Sequence, residues 1–296
     1  MNYHEKYDGW HERFEESKRY LICIDSDGTV FNTQEMKFKK FVIPWMIRVF
    51  NLHEISPFVR ETAEYVNLYS EHRGIGQYEA LLEVFELLYA RKEVKKMGIR
   101  SPDMQTLRKW IETEPKLCRS SLEEKIQETN DSFLIKVLEW DKMIDISASE
   151  GMREIPPFRY VRESMEKAFR YADIIVVSSE SSSVLDREWE DSGLDPFVRI
   201  IAGREMGNKN TIIRRAIDGR YEADHVLMIG DALGDLAAAK SNSALFYPVN
   251  PGAENASWKR FFEEGFNKFI DGQYSESYEE FLVSEFRNLL KTSPSW

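Results

Sequence analysis

Five short apolar runs, at residues 21–24, 174–177, 198–202, 226–229 and 244–246, constrain this chain more than anything else in it. Each is rich in β-branched residues and too short for a buried helix, so each reads as a buried strand. Helical stretches at 184–192, 210–218 and 233–241 separate the later runs. Strands alternating with helices require crossover connections, which are right-handed, and give an α/β fold: a parallel sheet with helices on both faces.

The rhythm is broken once. Between residues 33 and 151, a span of roughly 115 residues, no strand is legible, and that is far longer than any ordinary loop. The stretch is helix-like throughout, with helices expected at 37–50, 58–68, 77–96, 102–112 and 122–139. The expected organisation is a discontinuous α/β core (1–33 and 151–296) carrying an all-helical insertion (34–150). A short polar helix is expected at 2–18 with Trp10 and Phe14 on one face, and aromatic-rich helices at 257–269 and 278–290. With 42% hydrophobic and 13% aromatic residues, the chain has material for a proper core.

Composition also excludes partners. Forty basic against 51 acidic residues leave a net charge of −11, which argues against a general nucleic-acid or acidic-membrane binder. The basic run 91–96 reads as a solvated helix end. Cys23 and Cys118 have no metal or redox spacing, and Cys23 reads as a small buried residue of the first strand. Residues 1–19 are polar, and the longest apolar runs fall far short of a membrane span, so a soluble, cytoplasmic protein is expected.

Ligands of open parallel sheets sit at the carboxyl ends of the strands, and those ends carry the chemistry here. The first strand ends in Asp25-Ser26-Asp27-Gly28-Thr29. Alternation along an extended chain puts Asp25 and Asp27 on one side, where two repelling carboxylates call for a divalent cation. A carboxylate beside a metal can attack phosphorus while a second handles the proton. Taken alone, the segment equally fits a strand closed by an ordinary Asp-Gly turn. The second strand ends in Ser178-Ser179, the third is followed by a loop reaching Lys209, and the fourth ends in Gly230-Asp231 with Asp235 four residues on. Taken singly, the serines read as helix caps and Lys209 as a surface lysine. Together they suit a phosphate and its metal. Asp25, Asp231 and Asp235, with the Asp27 carbonyl, offer oxygens to Mg²⁺. Ser178 can donate to a phosphate oxygen and Lys209 can neutralise charge, while N–H groups around Ser26 and Gly28 and at the helix start 179–183 add donors.

In these residues the chain resembles the haloacid dehalogenase superfamily, whose four motifs match in order: Asp25-x-Asp27-Gly28-Thr29, Ser178, Lys209, and Gly230-Asp231-x-x-x-Asp235. The resemblance covers 20–33 and about 153–247. It implies a Rossmann-like core and Mg²⁺-dependent phosphoryl transfer, with Asp25 as nucleophile and Asp27 as general acid/base. It further implies that Ser178 and Lys209 hold the phosphate and that Asp231 and Asp235 organise the metal. The helical insertion matches the place of the superfamily's C1-type cap, though it is larger than usual. Dehalogenating and phosphonate-cleaving members lack the second acid, so Asp27 argues against both. The absence of a Lys after Asp25 argues against the ion pumps.

A phosphatase acting on a small phosphorylated metabolite is the leading expectation. A sugar-phosphate mutase using the same residues is the alternative, and a non-catalytic phosphate-binding regulator is a third, against which the retained acids argue. Substrate contacts are less legible. Thr29 is one candidate. Arg73, in the glycine-punctuated loop 71–77, is another, unless that loop is a plain helix–helix turn with an exposed arginine. Arg153 is similarly ambiguous. Ser164-x-x-Lys167 matches a nucleophile pattern by letters only.

Overall fold

The computed structural model describes residues 9–152 and 155–296. Arg153 and residues 2–8 of the helix expected at 2–18 lie outside them. Within them, Trp10–Arg13 is a single helical turn, and Trp10 and Phe14 are both buried, their rings 6.2 Å apart. The chain divides into two compact units: Met1–Gln34 with Glu154–Leu290, and Glu35–Arg153 with Lys291–Trp296.

The first unit holds one five-stranded sheet: β1 (Tyr20–Ile24), β2 (Ala172–Val177), β3 (Ile200–Ala202), β4 (Val226–Gly230) and β5 (Leu245–Pro248). The order is β3-β2-β1-β4-β5 and every pairing is parallel. The five expected strands are all present with ends moved by one or two residues. β1 is central, with Ile22 between Ile174 and Leu227. Every residue of β1, β2 and β4 is buried, which is why their sequences run apolar without alternation. Alternation still sorts the two faces. Tyr20, Ile22 and Ile24 pack with Val176, Trp189 and Phe261 on one side. Leu21 and Cys23 pack with Ile175, Ile212 and Phe286 on the other. Because all five strands run the same way, the polar residues following each are delivered to one edge.

The second unit is helical, built from Ile43–Val49, Ser56–Glu64, Gln77–Ala90, Gln105–Thr113, Arg119–Thr129 and Ser132–Gly151 around its own apolar core. Two expected helices are broken. The stretch 77–96 is interrupted at Arg91, whose backbone is extended (φ −59°, ψ 135°). The stretch 122–139 is split at Asn130 (φ 49°), after which Asp131 caps the next helix by accepting from Phe133 and Leu134 N–H.

Arg91 also corrects the reading of a solvated basic run. It is 4% exposed, with its guanidinium between the rings of Phe58 (4.9 Å) and Trp296 (4.1 Å) and 2.6 Å from Glu61. Trp296 belongs to a segment expected in the α/β core. That segment, Lys291–Trp296, joins the helical unit instead, where Lys291 N–H donates to Tyr69 and Lys291 C=O accepts from Glu71. No described helix is long and apolar enough to cross a membrane.

Candidate active site

The loop leaving β1 turns because Gly28 adopts φ 75°, a conformation that side chains resist. The Ser26 carbonyl then accepts from the N–H groups of Thr29, Val30 and Phe31. One expected phosphate donor, the Gly28 N–H, is engaged inside this turn. Gly28 N–H donates to the Phe31 carbonyl at 2.8 Å, and the fully buried Ser26 hydroxyl accepts from Trp189 Nε1 at 3.1 Å.

Asp25 is held by its own N–H, which donates to Ile229 C=O at 3.0 Å, and its carboxylate is 2.9 Å from Lys209 Nζ. Lys209 opens the helix Lys209–Ile217, whose N-cap Asn208 accepts from Thr211 N–H. The same Nζ lies 2.6 Å from Asp235 Oδ1. Asp235 stands in the first turn of the helix Leu233–Ser241, where its Oδ2 accepts from Asp231 and Ala232 N–H at 3.2 and 3.1 Å. Thr29 Oγ1 donates to Asp231 Oδ1 at 2.6 Å. Asp25, Asp231 and Asp235 are all buried and bring carboxylate oxygens within 4.8 Å of one another.

Lys209 reaches two of these three acids. Burial pushes the Asp25 carboxyl well above the usual range; Lys209 opposes this, and Asp235 and Asp231 add to it. Asp235 is raised for the same first reason, again with Lys209 opposing and Asp231 adding. Burial pushes the Lys209 ammonium down, but Asp235 and Asp25 outweigh it and hold it above its ordinary value. A buried site with three converging hard oxygen donors fits a hard divalent cation such as Mg²⁺.

Asp27 stands apart from this triad. β1 ends at Ile24, so the alternation that would have brought Asp25 and Asp27 together stops before it reaches them. Asp27 is half-buried and accepts a hydrogen bond from Thr33 Oγ1. Sequence reasoning missed Thr33, because only the turn at Gly28 brings it back to Asp27.

Ser178 is 2% exposed, and its N–H donates to Ala202. Its Oγ accepts from Glu180 N–H at 3.1 Å, which leaves the hydroxyl proton to donate. The helix start expected to add phosphate donors is already capped. Ser181 N–H donates to Glu180 Oε1 at 2.8 Å, and Ser182 N–H and Oγ both donate to Glu205 Oε2 at 3.0 Å. Thr29 is fully buried with its hydroxyl on Asp231, so it supports an acid and is not a substrate contact. Arg73 lies in the helical unit. The exposed arginine of a plain turn is not found: Arg73 is 5% exposed and its Nη1 donates to Leu68 C=O at 2.9 Å. Ser164 is buried and Lys167 donates to Phe262 C=O, in keeping with the discounted letter match.

Gly230 is required by this packing. A Cβ there would stand 2.4 Å from Asp235 Cβ and Cγ, and Asp235 is pinned by Lys209 and two N–H groups. Gly230→Ala is therefore expected to destabilise the protein by about 1–3 kcal/mol, measured by urea unfolding. An unchanged midpoint would mean that Asp235 is not held as described.

The model of the family described as haloacid dehalogenase-like hydrolase matches residues 77–247, more than half of the chain. The match includes Ser178, Lys209, Asp231 and Asp235 and begins after Asp25. No curated protein matches. Among solved structures, the chain is similar to a candidate phosphoglycolate phosphatase from Lactobacillus delbrueckii subsp. bulgaricus, at 14% identity over 86% of this chain and 98% of that one, with a TM-score of 0.50. A haloacid dehalogenase-like family hydrolase from Streptococcus pneumoniae is 15% identical over 81% and 90% (TM-score 0.40). A candidate phosphatase from Clostridium difficile is 16% identical over 79% and 86% (TM-score 0.42). At such identities the likeness is one of fold.

Proposed function

Because the chain belongs to the haloacid dehalogenase-like hydrolase family, we propose that it is a phosphatase hydrolysing a small phosphorylated metabolite through an aspartyl phosphate on Asp25, with Mg²⁺ as cofactor. The observation that carries this reading is Lys209 Nζ set between Asp25 (2.9 Å) and Asp235 (2.6 Å) beside Asp231. Asp25, Asp231 and Asp235, with the Asp27 carbonyl, would hold the metal. When bound, it offsets the charge of the phosphate and of the acids around it.

In the first step an Asp25 carboxylate oxygen attacks phosphorus in line. The ester P–O bond breaks, its electron pair leaves with the ester oxygen, and Asp27 gives that oxygen a proton. Asp27 then takes a proton from water, whose oxygen attacks phosphorus. The bond from phosphorus to Asp25 breaks, releasing free phosphate and restoring the carboxylate. Thr33 orients Asp27 for both transfers. Ser178 donates to a phosphate oxygen, and Lys209 neutralises the approach of two anions. Charge placement and positioning are the main work in such a loose transition state.

A panel of phosphorylated metabolites tests this. Substrate loss is expected to be matched mole for mole by free phosphate, to stop with chelator and to return with Mg²⁺. Isomerised product with little free phosphate would favour the mutase, and no turnover on any member would favour the binding protein.

A further inference from the structure

The turn that carries the proposed nucleophile is gripped by two buried indoles from distant parts of the chain. Trp189 holds one end through Ser26. Trp258, in the helix Glu254–Arg260, holds the other: its Nε1 donates to the Thr29 carbonyl at 2.7 Å, across 229 residues of sequence. Trp258 is 1% exposed, and its ring is set edge-on against Phe261.

Thr29 is tied at three atoms. Its carbonyl accepts from Trp258, its N–H donates to Ser26 C=O at 3.2 Å, and its hydroxyl donates to Asp231 Oδ1 at 2.6 Å. Its backbone is fixed at both polar groups, and from there its hydroxyl reaches the Asp231 carboxylate. We propose that Trp258 is a positioning residue for the carboxylate triad, acting through Thr29. This inference rests on the reading of that triad as a metal site. Partners that orient a ligand in this way typically hold about 10–100-fold in metal affinity.

The test removes one N–H. An indole is a donor only, so Trp258→Phe keeps an aromatic ring and deletes the bond to Thr29. Trp140 supplies the control. It is equally buried, donates to the Val42 carbonyl at 3.0 Å and belongs to the helical unit. Thermal unfolding of the full chain is followed against Mg²⁺ concentration for wild type, Trp258→Phe, Trp140→Phe, Thr29→Val and the Trp258→Phe/Thr29→Val double variant. Thr29→Val is expected to raise the Mg²⁺ concentration at half-maximal shift about 10–100-fold, and Trp258→Phe to raise it in the same direction by no more than Thr29→Val does. Trp140→Phe is expected to lower the melting temperature and leave that concentration at the wild-type value. Since both single changes cut one relay, the double variant should lose no more than Thr29→Val alone.

If Trp258→Phe does not fold, Trp258→Leu, which also lacks a donor, makes the same comparison. A Trp258 variant with the wild-type Mg²⁺ midpoint overturns the inference, as does a shift equal to that of Trp140→Phe. A wild-type protein with no Mg²⁺-dependent shift overturns the metal reading, and this inference with it.

Discussion

Asp25→Asn is expected to lower phosphate release by at least about 1,000-fold, the scale of losing a covalent nucleophile. The amide is nearly isosteric with the carboxylate, so Lys209 keeps a neighbour of the same shape, but the attacking charge is gone. Stability should move the other way. Asp25 is 5% exposed, and burial already pushes its carboxyl well above the usual range, so its ionised form weighs against the folded state when no metal is present. The metal-free variant should therefore melt no lower than metal-free wild type. Single-turnover kinetics and thermal unfolding in chelator check the two halves separately. Residual activity above about 1% of wild type would rule out Asp25 as nucleophile.

Lys209→Met is expected to give the largest loss of stability, about 3–5 kcal/mol in metal-free protein at neutral pH, because it leaves Asp25 and Asp235 buried without their shared cation. The loss should depend on pH in a definite sense. Both carboxyls are already raised, and without Lys209 they rise further. A carboxyl raised in the folded state holds its proton more tightly there than in the unfolded chain. Its contribution is present below the unfolded value near 4 and is lost as pH climbs through the folded value. The penalty of Lys209→Met is therefore expected to shrink as pH falls from about 7.5 toward 4.5, while lysine itself stays charged throughout. Urea unfolding at the two pH values measures it. An equal penalty at both would mean that the acids are not what the lysine balances.

The site was legible wherever residue type and strand-end position decide the matter. Asp25, Lys209, Asp231 and Asp235 follow or precede buried strands of one parallel sheet, and a parallel sheet delivers all its carboxyl ends to one edge. What depends on the path of a turn was not legible. Gly28 N–H faces Phe31, Ser26 faces Trp189, and Asp27 leaves the triad for Thr33, because three hydrogen bonds to one carbonyl coil this loop. The helix start after β2 looked open to phosphate and is instead capped by Glu180 and Glu205, the latter contributed from the loop after β3. In the helical unit, periodicity ran through Arg91 and Asn130 because both flanks are good helix formers. The breaks come from tertiary packing of the guanidinium and from a left-handed residue preceding an Asp cap.

The central place of β1 bears on how the chain is made. β1 is the first strand to be synthesised, yet it pairs only with β2 and β4, which begin at residues 172 and 226. At about 5–20 residues per second, a ribosome leaves this apolar strand without a partner for on the order of ten seconds. Over that interval most of the helical unit emerges as one continuous stretch with its own core. The strand that leads into the proposed nucleophile is thus apolar and unpaired in the nascent chain until β2 follows it, and is open to misassociation over that interval.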